Sequence, residues 1–280
     1  MNYKQGVTVL IHTLNNESDI YDCLSTILIS NPDQVIVADG NSSDRTPHIA
    51  RELGVLVSSS PPGFHIQQAK AFKQVVYDHL LIIEPDHRFP EGFIENLKNE
   101  FLTSEYDGLQ ASLICTEMSN FWERGISVFY DIHNRGKGKK NIIGGPAIYK
   151  SEVHITNLKH ENVGFAGDTL KAEQAKEKDL TFGLAHTFAF HTQQMNFETF
   201  IKKYLKYGRG DHHFYNKMKK EWSLRRKLQS ITHIGRQYFV KYPLIALSRL
   251  EFSGALFLIL SGFVRYYGWI IEKLYNTKVS

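Results

Sequence analysis

The sequence predicts an α/β fold: a mostly parallel central sheet with helices on both faces, followed by C-terminal amphipathic and hydrophobic helices. Three observations predict it. Short, wholly apolar runs recur through the first 85 residues, as strands buried on both faces do. Helix-period segments separate those runs. After about residue 196 the chain turns basic and aromatic.

Taken in order, Val7-Thr8-Val9-Leu10-Ile11 is the first strand. Ser18 then caps a helix with Ile20, Leu24, Ile27 and Leu28 on one face. Val35-Ile36-Val37-Ala38 is the second strand, and a helix over about 46–53 follows, ended by Gly54. Val55-Leu56-Val57 is the third strand, 66–77 reads as a helix, and Leu80-Leu81-Ile82-Ile83 is the fourth strand. Beyond these, 108–115 reads as a strand, 120–134 as a helix and 136–140 as a flexible basic loop. Gly144-Gly145-Pro146 is a turn cluster before strand Ile148-Tyr149. A helix over 169–178 and a strand over 181–190 complete the first part.

Phe197, Phe200, Ile201, Tyr204, Leu205 and Gly208 recur at helical spacing, with Lys202, Lys203, Lys206 and Arg209 mostly off the stripe. Two readings stand: a basic amphipathic helix in a membrane interface, or an ordinary helix packed on the sheet. The strongly basic stretch 217–227 reads as solvated. Residues 252–271 are apolar and aromatic apart from Arg265 and a few small polar residues. That length just suffices to span a bilayer. Arg265 is costly at bilayer centre, while Tyr266, Tyr267 and Trp269 favour the interface. Helices lying in or dipping into the interface are therefore expected, with a true span or a soluble hairpin as alternatives.

The 280 residues are 42% apolar and 22% charged, which excludes a disordered or fibrous chain. Cys23 and Cys115 are the two cysteines, too few for a disulfide scaffold or a Cys-rich zinc site. They read as buried thiols. Residues 1–195 hold 17 Lys and Arg against 24 Asp and Glu, a net of −7; residues 196–280 hold 16 against 5, a net of +11. A basic tail of that kind meets something anionic. Its Lys/Arg run lacks a nucleic-acid recognition module, and the apolar stretch beside it favours lipid, so anionic membrane is the expected partner and nucleic acid is not. The start of the chain carries no secretory h-region, so the body is expected at the cytoplasmic face of the membrane, peripheral or monotopic.

Carboxylates sit at strand ends: Glu17 after the first strand, Asp39 ending the second, Glu84 and Asp86 after the fourth. In an open parallel sheet, ligands bind outside the carboxyl ends of strands. Acids converging there repel unless a cation or a donor-rich ligand joins them. Singly, each reads as well as a cap or turn residue. Glu84-Pro85-Asp86 can hold a divalent ion and a ribose together, or be a Pro-centred turn. A nicotinamide dehydrogenase is excluded because no G-x-G-x-x-G follows the first strand.

Val9-Leu10-Ile11-His12-Thr13-Leu14-Asn15-Asn16-Glu17 resembles the opening of family 2 glycosyltransferases. The run from Val35 to Thr46 resembles their strand-Asp-x-x-Ser-x-Asp-x-Thr signature, through Asp39, Ser42, Asp44 and Thr46. The order Glu17, Asp39, Asp44, a Gly63 to Ala69-Lys70 segment and an acid-x-acid triplet matches as well. The resemblance covers about residues 5–210 as a GT-A catalytic domain, so we divide the chain into 1–210 and a membrane-associating 211–280. The last 70 residues resemble, more loosely, the C-terminal helices of membrane-associated members acting on lipid-linked glycans.

The resemblance implies roles. Thr13, Glu17 and Asp39 would line the nucleotide base and ribose, the base being uracil. Asp44 would fix the nucleotide-binding turn. Lys70, early in its helix, would face the diphosphate. Glu84 would contact ribose or metal-bound water, and Asp86 with His191 would bind a divalent cation, Mn²⁺ or Mg²⁺. Asp168, at a helix start, would be the catalytic base, its alternative an ordinary N-cap. Gly144 and Gly145 would floor the acceptor site, and Arg209, in a loop Tyr207 to Gly210, could close on the diphosphate or meet a lipid phosphate. Two departures stand out: Gly167 replaces an expected acid before Asp168, and Glu84 replaces an Asp. The Gln/Arg-x-x-Arg-Trp motif of processive synthases is absent.

The expected activity is inverting transfer of one sugar from a nucleotide-sugar, a UDP-sugar, to a lipid-linked or cell-surface glycan acceptor. The departures keep open a catalytically weak, sugar-nucleotide-binding subunit that scaffolds a membrane glycan assembly.

Overall fold

The computed structural model describes residues 3–134, 137–157 and 166–276. In chain order its elements are β1 (Lys4–Thr13), α1 (Ile20–Leu28), β2 (Gln34–Asp39), α2 (Thr46–Glu52), β3 (Leu56–Ser59), α3 (Phe64–Ala71), β4 (Tyr77–Ile83), β5 (His87–Arg88) and α4 (Phe93–Leu102). Next come β6 (Gly108–Cys115), α5 (Phe121–Asn134), β7 (Gly138–Lys140), β8 (Ala147–Lys150), α6 (Gly167–Glu177) and β9 (Phe182–His191). Four helices close the chain: α7 (Phe197–Met218), α8 (Leu224–Gly235), α9 (Tyr242–Ser248) and α10 (Phe252–Asn276). Two compact units result. The first holds Met1–Ile114, Asn134–Asn162 and Lys171–Thr192; the second holds Cys115–His133, Val163–Leu170 and Gln193–Ser280. The expected boundary at residue 210 falls inside α7.

The first unit is built on one sheet of order β3-β2-β1-β4-β8-β6-β9-β5, with β7 also on β9. β3, β2, β1 and β4 are parallel, and β8 runs antiparallel between β4 and β6. Leu10, Ile36, Leu80 and Ile82 bury one strand face against Ala71, Phe72 and Val75. Cys23 and Cys115 are buried and form no disulfide.

Several boundaries differ from the sequence reading. Asp19 holds the N-cap position of α1, and the Ser18 hydroxyl turns to the Asp19 carboxylate at 2.6 Å instead of capping. The helix expected over 66–77 ends at Ala71, continues as a 3-10 turn through Gln74, and Tyr77 already belongs to β4. Its β-branched end, Val75-Val76, suits extended backbone, and the Val76 carbonyl accepts the Lys4 N–H at 2.8 Å. The basic loop expected over 136–140 contains β7, paired with β9; Gly136 lies outside the described residues. The last strand ends on His191, which is within it and not after it.

In the second unit, the stripe of α7 packs on another helix, where one of its two readings expected the sheet. Phe200 and Tyr204 are fully buried, in a cluster with Ile126, Tyr238, Phe257 and Leu258. α7 is a packed helix, its partner being α10. The basic stretch 217–227 is split by Ser223, which caps α8 by accepting the Arg226 N–H at 3.3 Å.

Glycines let α7 and α10 approach closely. A Cβ on Gly208 would lie 1.9 Å from the Arg265 carbonyl oxygen, and one on Gly268 would lie 2.5 Å from the Leu205 carbonyl oxygen. Arg265 is turned inward: its guanidinium donates to both Asp211 oxygens at 2.5 and 2.8 Å and to the Tyr238 hydroxyl at 3.1 Å. The costly charge is therefore neutralised inside the helix pair. Gly208→Ala should force the two helices apart and destabilise the protein by about 1–3 kcal/mol, read as a lowered thermal midpoint; an unchanged midpoint would refute the close crossing.

Candidate active site

At the ends of β1 and β2, side chains and backbone are laced together. Thr13 and Asp39 stand in register, both buried, and the Thr13 hydroxyl lies 3.4 Å from Asp39 Oδ1. Asp39 also accepts from the Ser42 hydroxyl at 2.5 Å and the Ser42 N–H at 3.2 Å. From α3, Gln67 Nε2 donates to the Thr13 and Ala38 carbonyls, each at 2.8 Å. This buried amide fixes the spacing of the two strand ends. Gln67 was not singled out from sequence, because nothing in a sequence says which face of α3 meets the strand ends.

Glu17 and Asp44 bind each other's loops. The Glu17 carboxylate accepts the Arg45 N–H at 2.9 Å, and Asp44 accepts the Glu17 N–H at 3.1 Å and the Thr46 N–H at 3.0 Å. Burial pushes the Asp44 carboxyl up, but the hydrogen bonds from Thr46 and Glu17 outweigh it, and the group sits below its ordinary range. The mutual repulsion expected of converging acids is thus offset here by N–H donors.

Lys70 is in the last turn of α3 and not early in its helix. Its ammonium donates to the Ser59 carbonyl at the end of β3, at 2.5 Å. The helix begins at Phe64, whose ring packs on His12 at 4.2 Å and lies under the ammonium of buried Lys171 at 5.6 Å. Lys171 is a cation near the strand ends that the sequence reading passed over.

The acid triplet follows β4. Glu84 is exposed, and a Cβ on Gly145 would lie 3.6 Å from its Oε1. The glycine turn therefore lies against the triplet. Gly144 donates its N–H to Gln110 Oε1 at 3.1 Å, and Lys140 Nζ shares that acceptor at 3.1 Å. Asp86 Oδ2 stands 3.2 Å from His191 Nε2. His191 is on β9, in register with His87 of β5. Arg88 holds the triplet loop from below, donating to the Pro85 carbonyl at 2.9 Å and reaching Asp19 and Asp22 of the α1 start at 3.5 Å.

Asp86, His87 and His191 offer ligand atoms that all lie within 4.8 Å of one another. His87 was missed from sequence, because a histidine next to an acid carries no signal until β5 pairs with β9. Burial pushes its imidazole pKa down to about 3, against the pull of Asp86. Its Nδ1 accepts the Glu84 N–H at 3.2 Å, so its proton is on Nε2 in the neutral ring. Asp86 and His191 are then the pair that face each other directly. One carboxylate and one imidazole make a donor set that fits a divalent cation.

β9 is anchored from α4. Glu100 accepts the His186 and Thr187 N–H groups at 2.8 and 2.6 Å. A regular strand points successive N–H groups to opposite edges, so β9 is locally irregular there. Burial pushes the Glu100 carboxyl up, but these bonds and one from the Thr187 hydroxyl hold it below its ordinary value.

Asp168 lies in the second unit, in the first turn of α6. Arg209 does not sit in a loop. It is inside α7, exposed, with Nε 3.8 Å from Glu272 of α10. The Gly208 and Gly210 that suggested a loop are buried within α7, and Gly208 is where α10 crosses it.

The family model described as Glycosyl transferase family 2 matches residues 8–158. Among solved structures, S. aureus TarS (residues 1–349) superposes with a TM-score of 0.54 at 13% identity, over 98% of this chain and 92% of that one. Its complex with UDP-GlcNAc gives 0.53 at the same identity and the same coverage. Glucosyl-3-phosphoglycerate synthase from Mycobacterium tuberculosis, in complex with Mn²⁺, UDP-glucose and phosphoglyceric acid, gives 0.51 at 17% identity over 77% and 79% of the two chains. At these identities the likeness is one of fold. None of the curated proteins compared matches the chain.

Two outcomes follow from this geometry. Asp86→Asn and His191→Ala should each weaken Mn²⁺ binding by about tenfold or more, measured by the Mn²⁺ EPR signal, while Glu17→Gln leaves it unchanged. Glu100 has a folded pKa below its unfolded value of about 4.3, so its contribution is present above that value and is lost as pH falls through the folded one. Glu100→Gln should therefore be less stable at neutral pH and show a shallower loss of stability in acid, followed by chemical denaturation from pH 7 to 3.

Proposed function

Because the chain belongs to glycosyl transferase family 2, and is a glycosyltransferase of GT-A fold, we propose that it moves a single sugar from a UDP-sugar to a lipid-linked or cell-surface glycan acceptor, with inversion. The observation that carries this reading is the Asp86–His191 pair, held 3.2 Å apart at the end of the acid triplet and the end of β9. The site would work at the cytoplasmic face of a membrane.

The chain's own residues supply most of the chemistry. Asp39 takes donors from Ser42 and Thr13; a carboxylate has about four acceptor positions, so one remains for the ring N–H of a uracil. Thr13, Glu17 and Asp44 keep the two loops around that base in place. Lys70 spends one of its three N–H donors on Ser59 and has two for a diphosphate oxygen. Glu84, against Gly145, contacts the ribose or the ion's water shell. Gly144 and Gly145 admit the acceptor close to the backbone. Asp86 and His191 would hold a divalent cation, which when bound neutralises the leaving diphosphate.

Asp168 takes the proton from the acceptor hydroxyl as its oxygen attacks the anomeric carbon. The bond from that carbon to the diphosphate oxygen breaks on the opposite face, and the diphosphate leaves with the electron pair. Arg209, paired with Glu272, is given no step. The absence of the processive-synthase motif supports one addition per encounter.

The test is a panel of nucleotide-sugars with and without Mn²⁺, for the wild type and Asp168→Asn. Metal-dependent turnover of one UDP-sugar is expected, with kcat lowered by about 10²–10⁴ in the variant. Binding of UDP with no turnover, even when membrane extract supplies acceptors, would instead identify the non-catalytic subunit that Gly167 and Glu84 hint at.

A further inference from the structure

α10 is long and apolar enough to cross a membrane, by length and composition. Its residues fall on two faces. Ala255, Leu258, Ser261, Gly262 and Gly268 are buried, and Arg265 turns its guanidinium to Asp211 on the same side. On the other face, Phe252, Leu256, Phe263, Tyr267, Ile270 and Leu274 are 48–67% exposed. At 100° per residue these six fall within about 60° of one another, and at 1.5 Å per residue the stripe is about 33 Å long. It contains no charge. Soluble monomers rarely expose so long a contiguous apolar stripe.

α8 repeats the pattern. Leu224, Leu228 and Ile231 are exposed along one face, with Arg225 and Lys227 on either side of it. Its end is fastened to α10: the Tyr266 hydroxyl donates to the Ile231 carbonyl and accepts the Gly235 N–H, both at 2.9 Å. Beyond it the Phe239 ring packs on Phe263 at 4.8 Å. The α8 face therefore adjoins an edge of the α10 stripe.

We propose that the outer faces of α10 and α8 together form a docking surface for an anionic lipid bilayer, on which the second unit lies flat without crossing. Charge selects the occupant. Basic side chains border the apolar face of α8, in a segment with 16 Lys and Arg against 5 Asp and Glu. Anionic headgroups complement that border, whereas a second copy of this chain would set basic border against basic border. Crossing is opposed by the inner face. The Gly208 contact and the Arg265–Asp211 pair lock α10 to α7, which carries exposed Lys202, Lys206 and Arg209. Spanning would drag those charges into hydrocarbon. Lying flat, α10 buries its apolar stripe and Arg225 and Lys227 can reach the headgroups along their own stems. The proposal rests on the lipid-linked acceptor only for its purpose.

The test uses the full chain and sedimentation with phosphatidylcholine vesicles, with and without phosphatidylglycerol, in the absence of donor. Binding is expected to the anionic vesicles. The double substitution Leu256→Glu with Ile270→Glu should weaken it about tenfold or more, and Arg225→Glu with Lys227→Glu should remove the preference for anionic lipid. Leu256, Ile270 and Arg225 are exposed and Lys227 is half-buried, so thermal midpoint and donor hydrolysis serve as controls and should not move. Equal vesicle binding by wild type and the Leu256/Ile270 variant would overturn the proposal. So would a dimer that those substitutions convert to monomer without any vesicle binding, and so would resistance to alkaline extraction from cell membranes, which marks a span. Turnover with no vesicle binding defeats this proposal alone; vesicle binding with no turnover defeats only the catalytic reading.

Discussion

Each strand of a parallel sheet ends in a loop whose N–H groups need acceptors, and at the ends of β1 and β2 those acceptors are largely carboxylates. Asp39 takes the Ser42 donors, Asp44 takes the N–H groups of Glu17 and Thr46, and Glu17 takes that of Arg45. Two loops are thereby tied to each other through their own acids. This lacing fixes the edge on which the rest of the site is assembled. It also sorts the acids. Those nearest the β1 and β2 ends are occupied in holding backbone, and the carboxylate that meets an imidazole is Asp86.

That meeting depends on a strand pairing. β5 is two residues long, and its antiparallel register with β9 sets His87 opposite His191. Asp86 precedes β5, so its carboxylate comes to His191 Nε2. Arg88 and Glu100 support the two sides, one under the triplet loop and the other along β9. The same environment divides the histidines. His87 accepts a backbone N–H and is kept neutral by burial, which makes it a prop for the triplet, while His191 presents its nitrogen to Asp86.

The second unit solves a different problem with the same economy of charge. Arg265 sits in the middle of an apolar helix, where it would be ruinous if exposed to hydrocarbon. Pairing with Asp211 and Tyr238 turns it into a clasp between α7 and α10, and the glycines at the crossing bring the helices close enough for that clasp to close. With Arg265 drawn inward, the stripe from Phe252 to Leu274 on the outer face of α10 carries no charge.

Periodicity and composition were enough to read the alternation of β1 to β4 with α1 to α3, the helix α5, the buried thiols and the basic, apolar tail, because these are set by which side chains must leave water. The motif around Asp39, Ser42, Asp44 and Thr46 pointed to the family for the same local reason: its residues bind each other within a short loop. What sequence could not reach involved partners distant along the chain. The end of α3 at Ala71 put Lys70 in a last turn; β7 appeared because β9 offered it an edge; Gly208 and Gly210 read as a loop until they fell inside α7, with α10 packed on Gly208; and His87 had no distinguishing mark until β5 met β9. Local chemistry determines elements and loops, whereas strand register and helix crossing are decided by the whole packed chain, and in this protein they chose which histidine faces Asp86 and which face of the last helix was left to the outside.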